Sequence, residues 1–150
     1  MNIDMLEAGR EMDAKIATEV MGRTPGVEDY EDGNGLVKLW LDERGNMVAY
    51  QEDYWEIDAT CGRWSPSTDY ADMWQVIDRV ASFVGHGHFS LRQIVEFEFP
   101  DMEGWQCDFG EIGAFATMGT GDTAPLAVCR AAYNTAKDWR ENSSTDIEWN

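Results

Sequence analysis

The chain has 150 residues, 43% of them hydrophobic, enough for one substantial core and too few for two comfortable ones. Its 29 acidic residues against 11 basic ones leave a formal charge of -18. Such a field repels phosphate backbones and anionic lipid, so ordinary DNA or RNA binding and membrane-surface residence are disfavoured, whereas basic protein surfaces and cations are attracted. Solubility is the blander use of the same charge.

The three cysteines, Cys61, Cys107 and Cys129, are far apart and match no metal-ligand spacing, which fits reduced thiols. Met1 to Gly9 contains Asp4 and Glu7 and has neither the basic nor the apolar region of a leader. No apolar run approaches the ~20 residues that span a bilayer. A soluble intracellular protein is expected.

In chain order, Met5, Ala8, Met12, Ile16 and Val20 recur at helical spacing, with Glu7, Glu11, Lys15 and Glu19 between them. Asn2 or Asp4 would cap this first helix, and Gly22 and Pro25 would stop it near Met21. Thr24 to Gly35, rich in Gly, Pro and acids, reads as a mobile connection. Leu36 to Leu41 and Met47 to Tyr50 flank a turn containing Gly45 and read as a hairpin. A second helix carries Tyr70, Met73, Trp74, Ile77, Ala81 and Val84 on one stripe, with Trp74 expected in the core. Val95, Phe97 and Phe99, then Trp105, Cys107 and Phe109, alternate with polar residues as half-buried antiparallel strands would. Ile112 to Met118 would add a third strand. Gly119 to Thr123 leads into a last helix with Leu126, Cys129, Tyr133 and Ala136 on its apolar face.

These elements predict an α+β fold, an α-β-α sandwich in which about three helices cover a mainly antiparallel sheet. Residues 1–139 would form one domain and residues 140–150 a polar, frayed tail.

Two helix starts resemble one another: Ser67-Thr68-Asp69 and Asp122-Thr123. Exposed amide groups beside hydroxyls bind phosphate or carboxylate, and Gly119 and Gly121 would let a ligand come close. Ordinary capping uses the same residue types. An anion here would need cationic help from Arg10, Arg63 or Arg130. Seven tryptophans are many for this length, and one such as Trp64 would stack on a planar ligand. The ligand-binding candidates are therefore Ser67, Thr68, Asp69, Thr123, Arg130 and Trp64. His86-Gly87-His88 offers two metal ligands and no third histidine exists, so it reads as a turn. No nucleophile has a motif around it. No catalytic residue, metal or cofactor is expected, and enzymatic activity has no support.

Gly9 to Gly22, Ser65 to Trp74 and Asp122 to Ala132, in that order, together resemble the phage ABA sandwich domain family of small bacteriophage and prophage proteins. Thr24 to Gly35 and Glu56 to Trp64 depart from its common pattern as local insertions. The resemblance implies an α-β-α arrangement, a phage origin and residence in the infected cell's cytoplasm, but no activity. It also makes a counter-defence role reasonable. The leading expectation is a non-enzymatic accessory protein that sequesters a small anionic, nucleotide-like ligand. The alternatives are an acidic inhibitor that binds a host protein through Glu28 to Asp32 and Glu52 to Asp58, and a hydrolase of a small phosphorylated substrate with metal on His86 and His88. Homo-oligomerisation is left open.

Overall fold

A computed structural model describes residues 3–30, 35–52, 54–55, 60–84, 89–94, 104–110 and 117–148. A single helical turn, Ile3–Met5, precedes α1 (Arg10–Glu19), and a three-stranded sheet follows, formed by β1 (Thr24–Tyr30), β2 (Gly35–Leu41) and β3 (Met47–Tyr50). A short ribbon, β4 (Tyr54–Trp55) with β5 (Thr60–Cys61), leads to α2 (Tyr70–Val84). The second sheet has the order β6 (Ser90–Ile94), β7 (Gly104–Asp108), β8 (Met118–Gly121), and α3 (Ala124–Glu148) closes the chain. Two small antiparallel sheets with three helices make the α+β sandwich that the periodicities predict. Among the described residues, no helix is long and apolar enough to cross a membrane.

α1 starts later than its apolar spacing predicts. Gly9, at φ 144°, is its N-cap residue, a conformation that a side chain would resist, and no capping side chain bonds there. Asn2 lies outside the described residues, Asp4 falls in the preceding turn, and Met5 is 79% exposed. The buried face of α1 is Met12, Asp13, Ile16 and Ala17.

The expected mobile connection is instead strand β1, in register with β2 from Thr24 opposite Leu41 to Tyr30 opposite Gly35. Its composition misleads because β1 is an edge strand, where proline and acids are tolerated. The space a Cβ would need at Gly26 is filled by the Leu41 side chain. The β2–β3 hairpin forms where expected. Asp42 Oδ1 accepts from the amides of Arg44 and Asn46, both at 2.9 Å, and so shapes its turn.

α2 has the expected bounds, but its inner face is rotated. Met73, Val76, Ile77, Val80 and Ala81 are buried, whereas Trp74 is 52% and Tyr70 58% exposed. Trp74 is therefore a surface residue, tilted against Phe89 with ring centroids 6.3 Å apart. Two valines supply a continuous aliphatic stripe without the two aromatics.

The proposed strand through Val95, Phe97 and Phe99 lies outside the described residues, as do 111–116 of the proposed third strand. β7 forms as expected and pairs with β6 on one side and β8 on the other. Both faces of β7 are covered: Cys107, Phe109, Gln106 and Asp108 are all buried. The segment read as the lead-in to the last helix is β8 itself.

β8 lies directly on α3. A Cβ on Gly119 would strike the backbone of Ala127 and Ala131, so glycine is what allows strand and alanine face to meet. β8 is an edge strand, and α3 satisfies its outer carbonyls. Arg130 Nη1 donates to Thr120 O (2.9 Å) and Asn134 Nδ2 to Met118 O (3.0 Å), while Thr135 Oγ1 reaches Thr117 O (3.4 Å), which also accepts the Phe109 amide (3.2 Å) just before the strand. The helix runs on through Arg140 as far as Glu148, so the expected frayed tail is helical to that point.

Gly119→Ala is expected to lower stability by about 2–3 kcal/mol, because the blocking atoms are backbone that cannot rotate away. Gly62→Ala, whose Cβ would meet nothing within 4 Å, should change the urea midpoint little. Urea denaturation of both variants checks the difference.

Candidate functional site

A cleft of about 180 Å³ opens at the seam between α1, the first sheet and the segment entering α2. Arg10, Asp13 and Ala14 reach it from one face of α1, Lys38 and Trp40 from alternate positions of β2, and Gln51 and Glu52 from the end of β3. Arg63 and Trp64 close it just before α2.

Two tryptophans form its apolar wall. Trp40 and Trp64 are 6% and 4% exposed. The Trp64 indole donates to Gln75 Oε1 (3.0 Å), its peptide N–H donates to Tyr50 O (3.0 Å), and the Arg23 guanidinium lies 4.4 Å from the ring centroid. The indole is thereby fixed on three sides.

Three of the eleven basic side chains stand here, in a chain whose net charge is strongly negative. Glu52 Oε1 lies 3.7 Å from Arg10 Nη1 and 3.9 Å from Lys38 Nζ, loose distances between half- to two-thirds-exposed groups. Pairs of that kind contribute little and exchange readily.

Asp13 sits deepest, 3% exposed. Its Oδ1 accepts the Ser67 amide (2.9 Å), while Oδ2 is buried with no hydrogen-bond partner and Arg63 Nη2 is 3.6 Å away. Burial raises the Asp13 pKa; the Ser67 hydrogen bonds and Arg63 oppose that rise without cancelling it. A buried carboxyl with an idle oxygen on a cleft can accept an N–H from a ligand.

The predicted site residues divide. Trp64 lines the cleft, and Arg10 and Arg63, named as possible cationic help, meet there. Ser67 is buried beneath it as a joint: its Oγ accepts the Gly9 amide (3.0 Å), and its own amide binds Asp13. Asp69 caps α2, taking the Asp72 amide on Oδ1 (2.9 Å), and Thr68 Oγ1 reaches Ser65 O (3.5 Å). Thr123 caps α3 through the Leu126 amide (3.3 Å). Arg130 holds Thr120 O and, through Nη2, Leu6 O (3.0 Å). Gly119 and Gly121, expected to admit a ligand, are buried against α3. Both helix starts are thus engaged in capping and in joining elements.

Sequence reasoning missed Asp13, Lys38 and Gln51, saw Trp40 only as one of several tryptophans, and placed Glu52 in an acidic protein-binding surface. Arg10, Asp13 and Ala14 are spaced as one helical face, and Lys38 and Trp40 as one strand face, which was the available signal. His86 and His88 lie outside the described residues. Among the described residues, no group of three His, Cys, Asp or Glu side chains is placed to hold a metal. Cys107 and Cys129 are buried, and burial pushes both thiols well above their ordinary range, which suits packing and not nucleophilic chemistry.

The raised Asp13 carboxyl makes a pH prediction. Because the folded protein holds this proton more tightly than the unfolded chain, the stabilising contribution is fully present below the ordinary value of 3.8. It is lost as pH rises through the native value. As pH rises from that ordinary value through the raised native one the protein should therefore lose stability, and Asp13→Asn should lose less over the same range. Urea midpoints across pH provide the check, and parallel curves would remove Asp13 as a cause.

No curated protein and no solved structure matches the chain. The sequence profile of the phage ABA sandwich domain matches residues 14–133. The match starts one residue after Asp13, includes Lys38, Trp40, Arg63 and Trp64 of the cleft, and ends inside α3. The two sheets, the three helices and this match agree, and the chain belongs to the phage ABA sandwich domain family.

Proposed function

We propose that this phage-family protein is a non-enzymatic accessory protein that sequesters a small anionic, nucleotide-like ligand in the cleft beside α1. Acting in the infected cell's cytoplasm, it would counter host defence by removing a nucleotide signal. The observation that carries the reading is the gathering of Arg10, Lys38 and Arg63 around a cleft walled by Trp40 and Trp64, in a chain with a net charge of -18.

The parts suit such a ligand separately. A phosphoryl group would draw Arg10 and Lys38 away from Glu52, replacing loose ion pairs with charge-assisted hydrogen bonds. The Asp13 Oδ2 atom would accept a ring or exocyclic N–H, which phosphate alone does not offer. The tryptophan wall favours a planar group over a flexible one. Ser67 belongs to this reading as the residue that positions Asp13, whereas Thr68, Asp69, Thr123 and Arg130 serve the scaffold.

Native mass spectrometry of the protein isolated from phage-infected cells, with denaturing analysis of what it releases, tests the proposal. A stoichiometric nucleotide supports it. A host polypeptide in its place supports the acidic inhibitor instead, and a bare protein counts against sequestration. With the released compound as probe, Lys38→Ala and Arg10→Ala should each weaken binding about tenfold or more, the loss of one charge-assisted contact. Both side chains are more than 60% exposed, so folding should survive.

A further inference from the structure

On the other side of the Trp64–Arg23 stack lies a second, wider cleft of about 390 Å³. It is bounded by Met21 and Arg23 after α1, by the β2–β3 turn carrying Asp42, Glu43 and Arg44, and by Arg79 of α2. Together the two clefts gather six of the eleven basic side chains of the protein.

We propose that this second cleft binds a phosphate-class oxyanion through Arg23, Arg79 and Arg44. Arg23 carries the argument furthest. Its peptide N–H bonds Ala17 O (2.9 Å) and its guanidinium stacks on Trp64, yet Nη1 is buried without a hydrogen-bond partner. A buried guanidinium N–H with no acceptor is costly, and the proposed oxyanion would supply that acceptor.

Arg79 is half committed. Its Nε donates to Val20 O (3.2 Å), fixing the plane of the fork, while Nη2 meets only the 75%-exposed Glu43 carboxylate at 3.6 Å. That arm is free to exchange a loose surface pair for a better-placed anion. Arg23 and Arg79 also stand near enough to repel: Arg79 adds to the burial that pulls Arg23 below the ordinary arginine range, and Asp72 offsets part of it. The Asp72 carboxylate is already occupied on Oδ2 by the Ser65 amide (2.9 Å). Asp72 and the exposed Glu43 compensate these two arginines only in part, which leaves room for a dianion that pairs with both.

Arg44 projects from a turn whose backbone is fixed by Asp42 Oδ1. The same amide bonds hold the Asp42 carboxyl below the usual range, so its negative charge remains beside that of Glu43 on the cleft. Glu43 is the one carboxylate that competes directly for Arg79. This site is independent of the cleft beside α1, where Lys38 and Arg10 are the exchangeable cations.

The experiment is titration of the full chain with inorganic phosphate, read from the arginine Nε–Hε resonances in NMR, with sodium chloride at matched ionic strength as reference. Saturable shifts at Arg23 and Arg79 that chloride does not reproduce are expected. Arg44→Ala should weaken them about fivefold or more, and Glu43→Gln should strengthen them, since one removes a donor and the other a competitor. Lys38→Ala should leave them unchanged. Adenosine monophosphate in place of phosphate separates the two sources of the group: tighter binding identifies a phosphoryl group carried on a larger molecule, and equal binding the free anion. Shifts that fail to saturate, that chloride reproduces, or that vanish with Lys38→Ala overturn the proposal.

Discussion

β8 and α3 meet backbone to backbone, and much of the fold depends on that contact. A strand whose Gly119 rests on the backbone of Ala127 and Ala131 brings its outer carbonyls within reach of helix side chains. Arg130 and Asn134 then bond those carbonyls, which covers a sheet edge without adding a strand. Arg130 extends the same arrangement to the N-terminus through Leu6 O. Alanines along α3 keep the helix surface low enough for strand and helix to meet, and α1 and α2 complete the packing around that helix. A larger residue at any of these contact points would separate two layers at once.

From that frame, the seam between α1 and the first sheet follows. Trp40 from β2 and Trp64 from the α2 approach both join the core cluster while keeping an edge on the cleft. Asp13 faces the same seam because Ser67 holds it and, through Gly9, sets where α1 begins. One buried serine thus couples the start of a helix to the position of the deepest acid in the cleft. The desolvation that raises the Asp13 pKa is a destabilising contribution at neutral pH, kept at a place that touches the cations of the cleft beside α1. Sites of that kind are where an unfavourable local arrangement is expected to serve binding.

The helices, the β2–β3 hairpin and β7 were legible because each rests on a strong local period or turn signal. β1 was not, since an edge strand with one free side tolerates the Gly, Pro and acids that otherwise mark a loop. Trp74 was misplaced because a six-residue stripe on a 15-residue helix can be drawn through either the aromatics or Val76 and Val80, and only packing decides. At the candidate site, Trp64, Arg10 and Arg63 were visible as residue types. Their convergence with Lys38 and Asp13 depends on how the first sheet docks on α1, a contact between segments far apart in sequence. The helix-start residues illustrate the opposite case: Asp69 and Thr123 are residue types that serve both anion binding and the commoner capping, and both make capping hydrogen bonds.

A net charge of -18 and an anion-binding cleft are compatible once distance is considered. At physiological ionic strength, charges farther apart than about 8 Å are largely screened, so the carboxylates scattered over the surface act on a long polyanion but little on a small ion already inside a cleft. There the nearest partners decide. Beside α1 these are Arg10, Lys38 and Arg63 against Glu52 and Asp13, the latter with a pKa that burial raises. Beyond the Trp64 stack they are Arg23, Arg44 and Arg79 against Glu43 and Asp42. An acidic exterior would then act as a filter: it keeps nucleic acid and other long polyanions away while small anions, whose repulsion is brief and screened, reach the basic clefts.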